Sequence, residues 1–203
     1  VKTLPLRITR QPVRFTRAAD PATDPKRSIG TLSGYAAVFN SDSEDLGGYI
    51  ERIRPGAFRE TLASADVVAL INHDHTLVVG RCSAGTLRLR EDDTGLAYEI
   101  DLPDIQAARD LVVSRERGDL KSCSFGFDWP DPTDMEWYER DGQDLCDLVR
   151  IKALHEISVG VTFPAYEATT MGLRDRYQAQ AARAALSRHR RCRARVALER
   201  LVG

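Results

Sequence analysis

The sequence predicts an α+β domain, a closed or partly closed and mainly antiparallel β-barrel flanked by helices and followed by a C-terminal helix. Three observations lead there. Short apolar stretches with local alternation recur from residue 34 to residue 163, Gly, Pro and Asp-Gly turns punctuate them, and one internal segment alone carries a sustained helical period.

Residues 1–29 are rich in Arg, Pro, Asp and Thr, and Ala19-Asp20-Pro21-Ala22-Thr23-Asp24-Pro25 cannot sustain a helix or a central strand. A flexible N-terminal arm is expected there. Strand patterns follow at Gly34–Phe39 and Tyr49–Arg54, and the polar loop Asn40–Gly48 between them suggests a hairpin or a bulged corner. Pro55-Gly56 then precedes Ala57–Ala63, where Phe58 and Leu62 lie four apart on one face of a short helix. The valine-rich run Asp66–Asn72 ends at His73-Asp74-His75, and Leu77–Cys82, Leu87 and Leu89 continue the β pattern up to Asp92-Asp93-Thr94-Gly95. Leu96–Leu102 is a further strand. Asp104 is a credible N-cap for a helix with Ile105, Ala108, Leu111 and Val112 on one face, ending near Gly118. Ser122–Trp129 returns to β, Pro130-Asp131-Pro132 breaks it, and Met135–Arg140, Asp141-Gly142 and Leu145–His155 form a predicted hairpin. Glu156–Phe163 is the last strand before a turn at Pro164-Ala165-Tyr166, and Ala, Arg and Leu favour a helix from Arg174 onward.

With 203 residues, 42% of them hydrophobic, the chain can bury one substantial core. The expected organisation is an arm at 1–29, a single domain at 30–175 and a basic helical tail at 176–203. No apolar run approaches the roughly 20 residues of a membrane span, and Val1–Phe15 lacks a secretory core, so neither membrane contact nor export is expected. Cys82, Cys123, Cys146 and Cys192 are irregularly spaced without a C-x-x-C pair, which points to a reducing cytoplasm rather than a disulfide framework or zinc knuckle. The net charge of −1 conceals an asymmetry: Arg174–Gly203 holds nine arginines against Asp175 and Glu199. Such a tail can meet nucleic acid, an acidic protein surface or water.

Candidate chemistry begins with Ser124 on its strand and the histidines some fifty residues earlier. A serine hydroxyl is a weak nucleophile until an imidazole accepts its proton. On an extended chain His73 and His75 face one side and Asp74 the other. His155-Glu156 adds another imidazole and a carboxylate, either of which can orient a catalytic imidazole, and the residue types alone do not choose between them. Cys123 neighbours Ser124, so it faces the opposite side of the strand and belongs in the core. A mixed metal site of histidines with Asp74 and Glu156 lacks suitable spacing. His155-Glu156-Ile157-Ser158-Val159 has valine where the helical zinc-protease pattern needs its second histidine, and its β-branched residues favour a strand. No phosphate loop, dinucleotide fingerprint or G-x-S-x-G elbow occurs, so no metal or cofactor is expected. Phe125, Phe127 and Trp129 alternate along one strand, a pattern of core packing more than of base stacking, so nucleic acid is not an expected partner.

Taken together, Gly34-Tyr35-Ala36-Ala37-Val38-Phe39-Asn40, Ile53-Arg54-Pro55-Gly56-Ala57-Phe58, Asn72-His73-Asp74, Ser124-Phe125-Gly126-Phe127, His155-Glu156-Ile157-Ser158 and Pro164-Ala165-Tyr166 resemble the prohead maturation serine proteases of tailed bacteriophages, relatives in fold of the herpesvirus assembly protease. The resemblance spans about residues 30–175. It departs at Cys123, where the family usually has methionine, and at Gly80, which arginine follows in a variable stretch. It implies a herpesvirus-protease-like fold, His73 as general base, Ser124 as nucleophile and Glu156 as the third member, with His155 the alternative because the herpesvirus enzymes use a second histidine. It also implies a protease inside the immature prohead in the host cytoplasm. Its expected partners are the major capsid protein precursor with its scaffolding region, itself through autocleavage, and further copies in a homo-oligomer.

Overall fold

The computed structural model describes residues 6–9, 13–17, 27–43, 45–161, 184–195 and 197. The predicted turn at Pro164-Ala165-Tyr166 and the 175/176 boundary lie outside them. A five-stranded sheet has the order β1 (Leu6–Thr9), β9 (Ser122–Phe127), β12 (Leu154–Val161), β5 (Val68–Ile71) and β6 (Asp74–Arg81). A four-stranded sheet has the order β2 (Arg14–Arg17), β3 (Ser28–Val38), β8 (Gly95–Pro103) and β7 (Leu87–Glu91). A three-stranded sheet joins β10 (Met135–Arg140), β11 (Gln143–Leu148) and β4 (Ile50–Ile53).

The α+β class therefore holds, but among the described residues these sheets do not close into a barrel. Closure requires every strand to be hydrogen-bonded on both sides. Alternation tells which face is buried and not which strand is the neighbour. Two pairs, β12 with β5 and β11 with β4, are parallel, so they come from distant parts of the chain. The hairpin suggested for Gly34–Phe39 and Tyr49–Arg54 is also absent. β3 and β4 belong to different sheets and meet through a parallel bridge between Phe39 and Ile53, with Asn40 N–H donating to Ile53 O at 2.9 Å.

Local signals fare better where the elements are local. α1 (Arg59–Leu62) is short and begins at the fully buried Phe58. α2 (Gln106–Arg117) buries Ala108, Leu111 and Val112 as their spacing predicts, and ends at Gly118 with φ +83°, the left-handed cap that glycine adopts without a Cβ penalty. Its N-cap is Ile105 rather than Asp104, whose carboxylate pairs with Arg109 instead of an amide of the first turn. Asp141 and Gly142, both with positive φ, join β10 to β11 in the tight hairpin their sequence predicts. The second arm ends at Leu148, short of His155, because Val149 N–H turns to Asp134 O at 3.0 Å and Ile151 N–H to Ala57 O at 2.7 Å. Inside the expected arm, β1 pairs with β9 and β2 with β3.

The aromatic stripe of β9 packs in the core. Phe125 lies edge-on to Phe58 with ring centroids 5.6 Å apart and 5.4 Å from Phe127, and each such ring contributes roughly 1.5–3 kcal/mol when fully buried. Residues 184–195 form α3, whose Ala185 and Leu186 are buried and whose Arg190 and Arg193 bond Asp144 of β11 at 2.7 and 2.9 Å. This part of the basic tail is docked on the domain. Among the described residues no helix is long and apolar enough to cross a membrane.

Candidate active site

Strand alternation sorts β9 into two chemistries. Cys123, Phe125 and Phe127 point into the core, and Ser124 and Gly126 lie on the other face. Antiparallel β12 sets Ser158 opposite Ser124 and Glu156 opposite Gly126, so hydroxyl, carboxylate and hydroxyl share one surface. On its other side β12 pairs with parallel β5, Val159 opposite Ile71, which brings the end of β5 over the same residues.

There the chain reverses. Ile71 pairs with Asp74, leaving Asn72 and His73 as a two-residue turn with φ +48° and +59°, the signature of a type I′ hairpin. This corrects the extended reading in which His73 and His75 share a face: His73 occupies the turn, and His75 is exposed on β6. A left-handed histidine is strained and persists only where its surroundings over-determine it. Asn72 N–H donates to Val159 O at 3.0 Å, and His73 N–H donates to Ser158 Oγ at 3.0 Å. The ring is held as well, with Nδ1 2.8 Å from Glu156 Oε1.

Glu156 is 2% exposed, and its second oxygen accepts the Ser158 hydroxyl at 2.8 Å. A carboxylate at Nδ1 favours the tautomer protonated there and leaves Nε2 bare. Nε2 of His73 and Oγ of Ser124 are both buried and, among the described residues, both without a hydrogen-bond partner, in a protein interior where nearly every such atom has one. Under Glu156 lies Gly126, where a Cβ would come within 2.7 Å of Oε1. A glycine inside a strand signals such a close approach.

The remaining candidates are elsewhere. His155 is on the other face of β12, partly exposed, with Nε2 3.2 Å from Asp128 Oδ1. Asp74 turns its carboxylate to the Thr76 hydroxyl at 2.6 Å and the Thr76 amide at 2.8 Å, and these bonds hold its carboxyl below the usual range. Cys123 is enclosed, and burial, with Glu156 adding to it, pushes its thiol far above the range in which a thiolate forms. Among the described residues no cluster of three or more His, Cys, Asp or Glu side chains could hold a metal ion. Sequence reasoning assigned Ser158 no role. The alternation of Glu156 and Ser158 on one strand was the available signal, since it places both on one face.

No curated protein and no solved structure matches the chain. A family model described as caudovirus prohead serine protease matches residues 17–183, which include every side chain of this cluster. The chain therefore belongs to the caudovirus prohead serine protease family.

Proposed function

We propose that the protein is a serine endopeptidase of phage head maturation that cleaves scaffold and capsid precursor proteins, and itself, with Ser124 as nucleophile, His73 as general base and Glu156 as the third member. One observation carries this reading: Ser124, its hydroxyl unpaired among the described residues, lies directly across the strand pair from Ser158, which holds the amide of His73, and the imidazole of His73 has its Nε2 unpaired among those residues and its Nδ1 on the buried Glu156 carboxylate. His73 Nε2 takes the Ser124 proton as Oγ adds to the scissile carbonyl, and the imidazolium gives it to the leaving amine. Water, activated by the same nitrogen, then releases the acyl group. Glu156 holds the tautomer and stabilises the imidazolium.

Residues 30–175 constitute the protease unit in this reading, and 1–29 and 176–203 are its appendages. Self-processing is supported by β1, a segment of the arm that runs antiparallel along the nucleophile strand with Ile8 opposite Ser124. The capsid precursor and scaffold are substrates on the strength of the family, whose model covers the site.

Purified protein incubated with capsid precursor should release defined fragments, and Ser124→Ala should lower turnover on the order of 10⁴-fold or more. Mass-spectrometric mapping of new termini reads both substrate and self cleavage. A Ser124→Ala protein that still processes the precursor would sink the assignment and leave a non-catalytic assembly role.

A further inference from the structure

Ser158 is fully buried, and its single hydroxyl has two partners. Oγ accepts the His73 amide proton at 3.0 Å and donates to Glu156 Oε2 at 2.8 Å. Together with the 2.8 Å contact between Glu156 Oε1 and His73 Nδ1, these bonds form a closed ring that leaves His73 at its backbone and returns at its imidazole.

We infer that Ser158 is the positioning residue of this site, fixing the His73 turn and the Glu156 carboxylate relative to each other; the inference rests on the serine-protease reading of Ser124, His73 and Glu156. A buried serine in a strand ordinarily satisfies its hydroxyl on a nearby carbonyl. Here the acceptor is the carboxylate behind the imidazole, and the donor is the amide of the residue that carries the imidazole. Each bond answers a separate physical need. His73 holds φ +59° in a two-residue turn, where a left-handed non-glycine residue needs external bonds to keep its place. Glu156 has a long side chain whose carboxylate rotates freely unless both oxygens are engaged, and it lies directly over Gly126, which has no side chain to hold it in place. A single hydroxyl at residue 158 meets both needs, so the Nε2 direction is set by Ser158 without Ser158 touching substrate.

Thr and Val differ by a hydroxyl against a methyl at nearly equal shape, so Ser158→Thr and Ser158→Val isolate the hydroxyl, and Ser158→Ala removes it without added bulk. With Ser158→Thr retaining activity, kcat of Ser158→Val and Ser158→Ala should fall about 10²-fold below it, the cost of a misplaced catalytic group. KM should stay within about threefold, as expected for an interaction made by the catalytic machinery and not by substrate binding. A second readout needs no turnover: the low-field proton NMR signal of the His73 Nδ1–H facing Glu156 should persist in wild type and Ser158→Thr and be lost or displaced in the Val and Ala variants. Equal kcat in the Thr and Val proteins, a loss carried by KM, or an unmoved Nδ1–H signal in Ser158→Ala would overturn the positioning role. Ser124→Ala is run in parallel. If it still cleaves, the nucleophile assignment fails; if it is inactive while Thr and Val match, only the role of Ser158 fails.

Discussion

Glu156 and Asp134 are both acids almost without accessible surface, at 2% and 0%, yet they are buried in opposite company. Asp134, at the end of a short 3-10 turn (Pro132–Asp134), takes Arg150 Nε at 2.6 Å and Lys152 Nζ at 3.1 Å, two permanent cations. Burial pushes its carboxyl up, but the bonds from Arg150 and Lys152 outweigh this and hold it below the usual range. Glu156 has an imidazole and a hydroxyl. A carboxylate between fixed cations has spent its charge on structure. One behind an imidazole leaves its partner able to gain and lose a proton at the far nitrogen, which is the requirement for general-base work.

The sharpest way to break this contrast is to neutralise each acid with its near-isostere. If Glu156 is the third member as proposed, Glu156→Gln should lower kcat about 10⁴-fold, because the amide can present an N–H to Nδ1 and favour the wrong tautomer, as in known serine triads. Thermal melting should move little. A next step disturbs the carboxylate without changing it: Gly126→Ala places a methyl 2.7 Å from Oε1 and should cost about 10²-fold in kcat through displacement alone. Wild-type turnover in Gly126→Ala would mean that the carboxylate position is not critical.

Asp134→Asn should show the reverse profile, with unchanged turnover and a loss of about 1–3 kcal/mol in unfolding free energy from the weakened buried bonds. Its pH dependence has a definite sign. A carboxyl with a folded pKa below its unfolded value contributes stability above about pH 4 and loses it as pH falls through the folded value. Urea midpoints of wild type and Asp134→Asn should therefore converge as pH drops from 7 to 3, and a gap that stays constant would contradict the assignment. The smallest effect belongs to His155→Ala. Its contact with Asp128 is partly exposed, so stability should change by less than about 1 kcal/mol and turnover should hold. A loss rivalling that of Glu156→Gln would transfer the third position to His155.

Reading these residues from sequence succeeded where the information is local. Gly118, Asp141-Gly142 and the Ala108, Leu111 and Val112 face each act within a few residues of their own position, and each behaves as its chemistry dictates. The opposite orientations of Cys123 and Ser124 follow from strand geometry alone. The His73 turn was hidden because a type I′ hairpin ordinarily carries Asn-Gly, and Asn72-His73 keeps only the first of those signals. The barrel failed for a related reason. The parallel partners of β5 and β4 lie 80 or more residues away, and no local period records them. Ser158 was legible as a neighbour of Glu156 on one face, but its second bond crosses 85 residues of sequence to the His73 amide.

That amide gives the protein a reporter of its own. In an ordinary two-residue hairpin, the N–H groups of the turn residues commonly face water and exchange with solvent quickly, so they carry no news of the interior. The His73 N–H is anchored to a hydroxyl with no accessible surface, and its exchange rate follows the opening of the hairpin tip away from β12. Hydrogen–deuterium exchange at this one peptide group therefore reads the assembly of the site in the resting protein, with no substrate present, and separates a tip that opens alone from one that opens only when the five-stranded sheet unfolds.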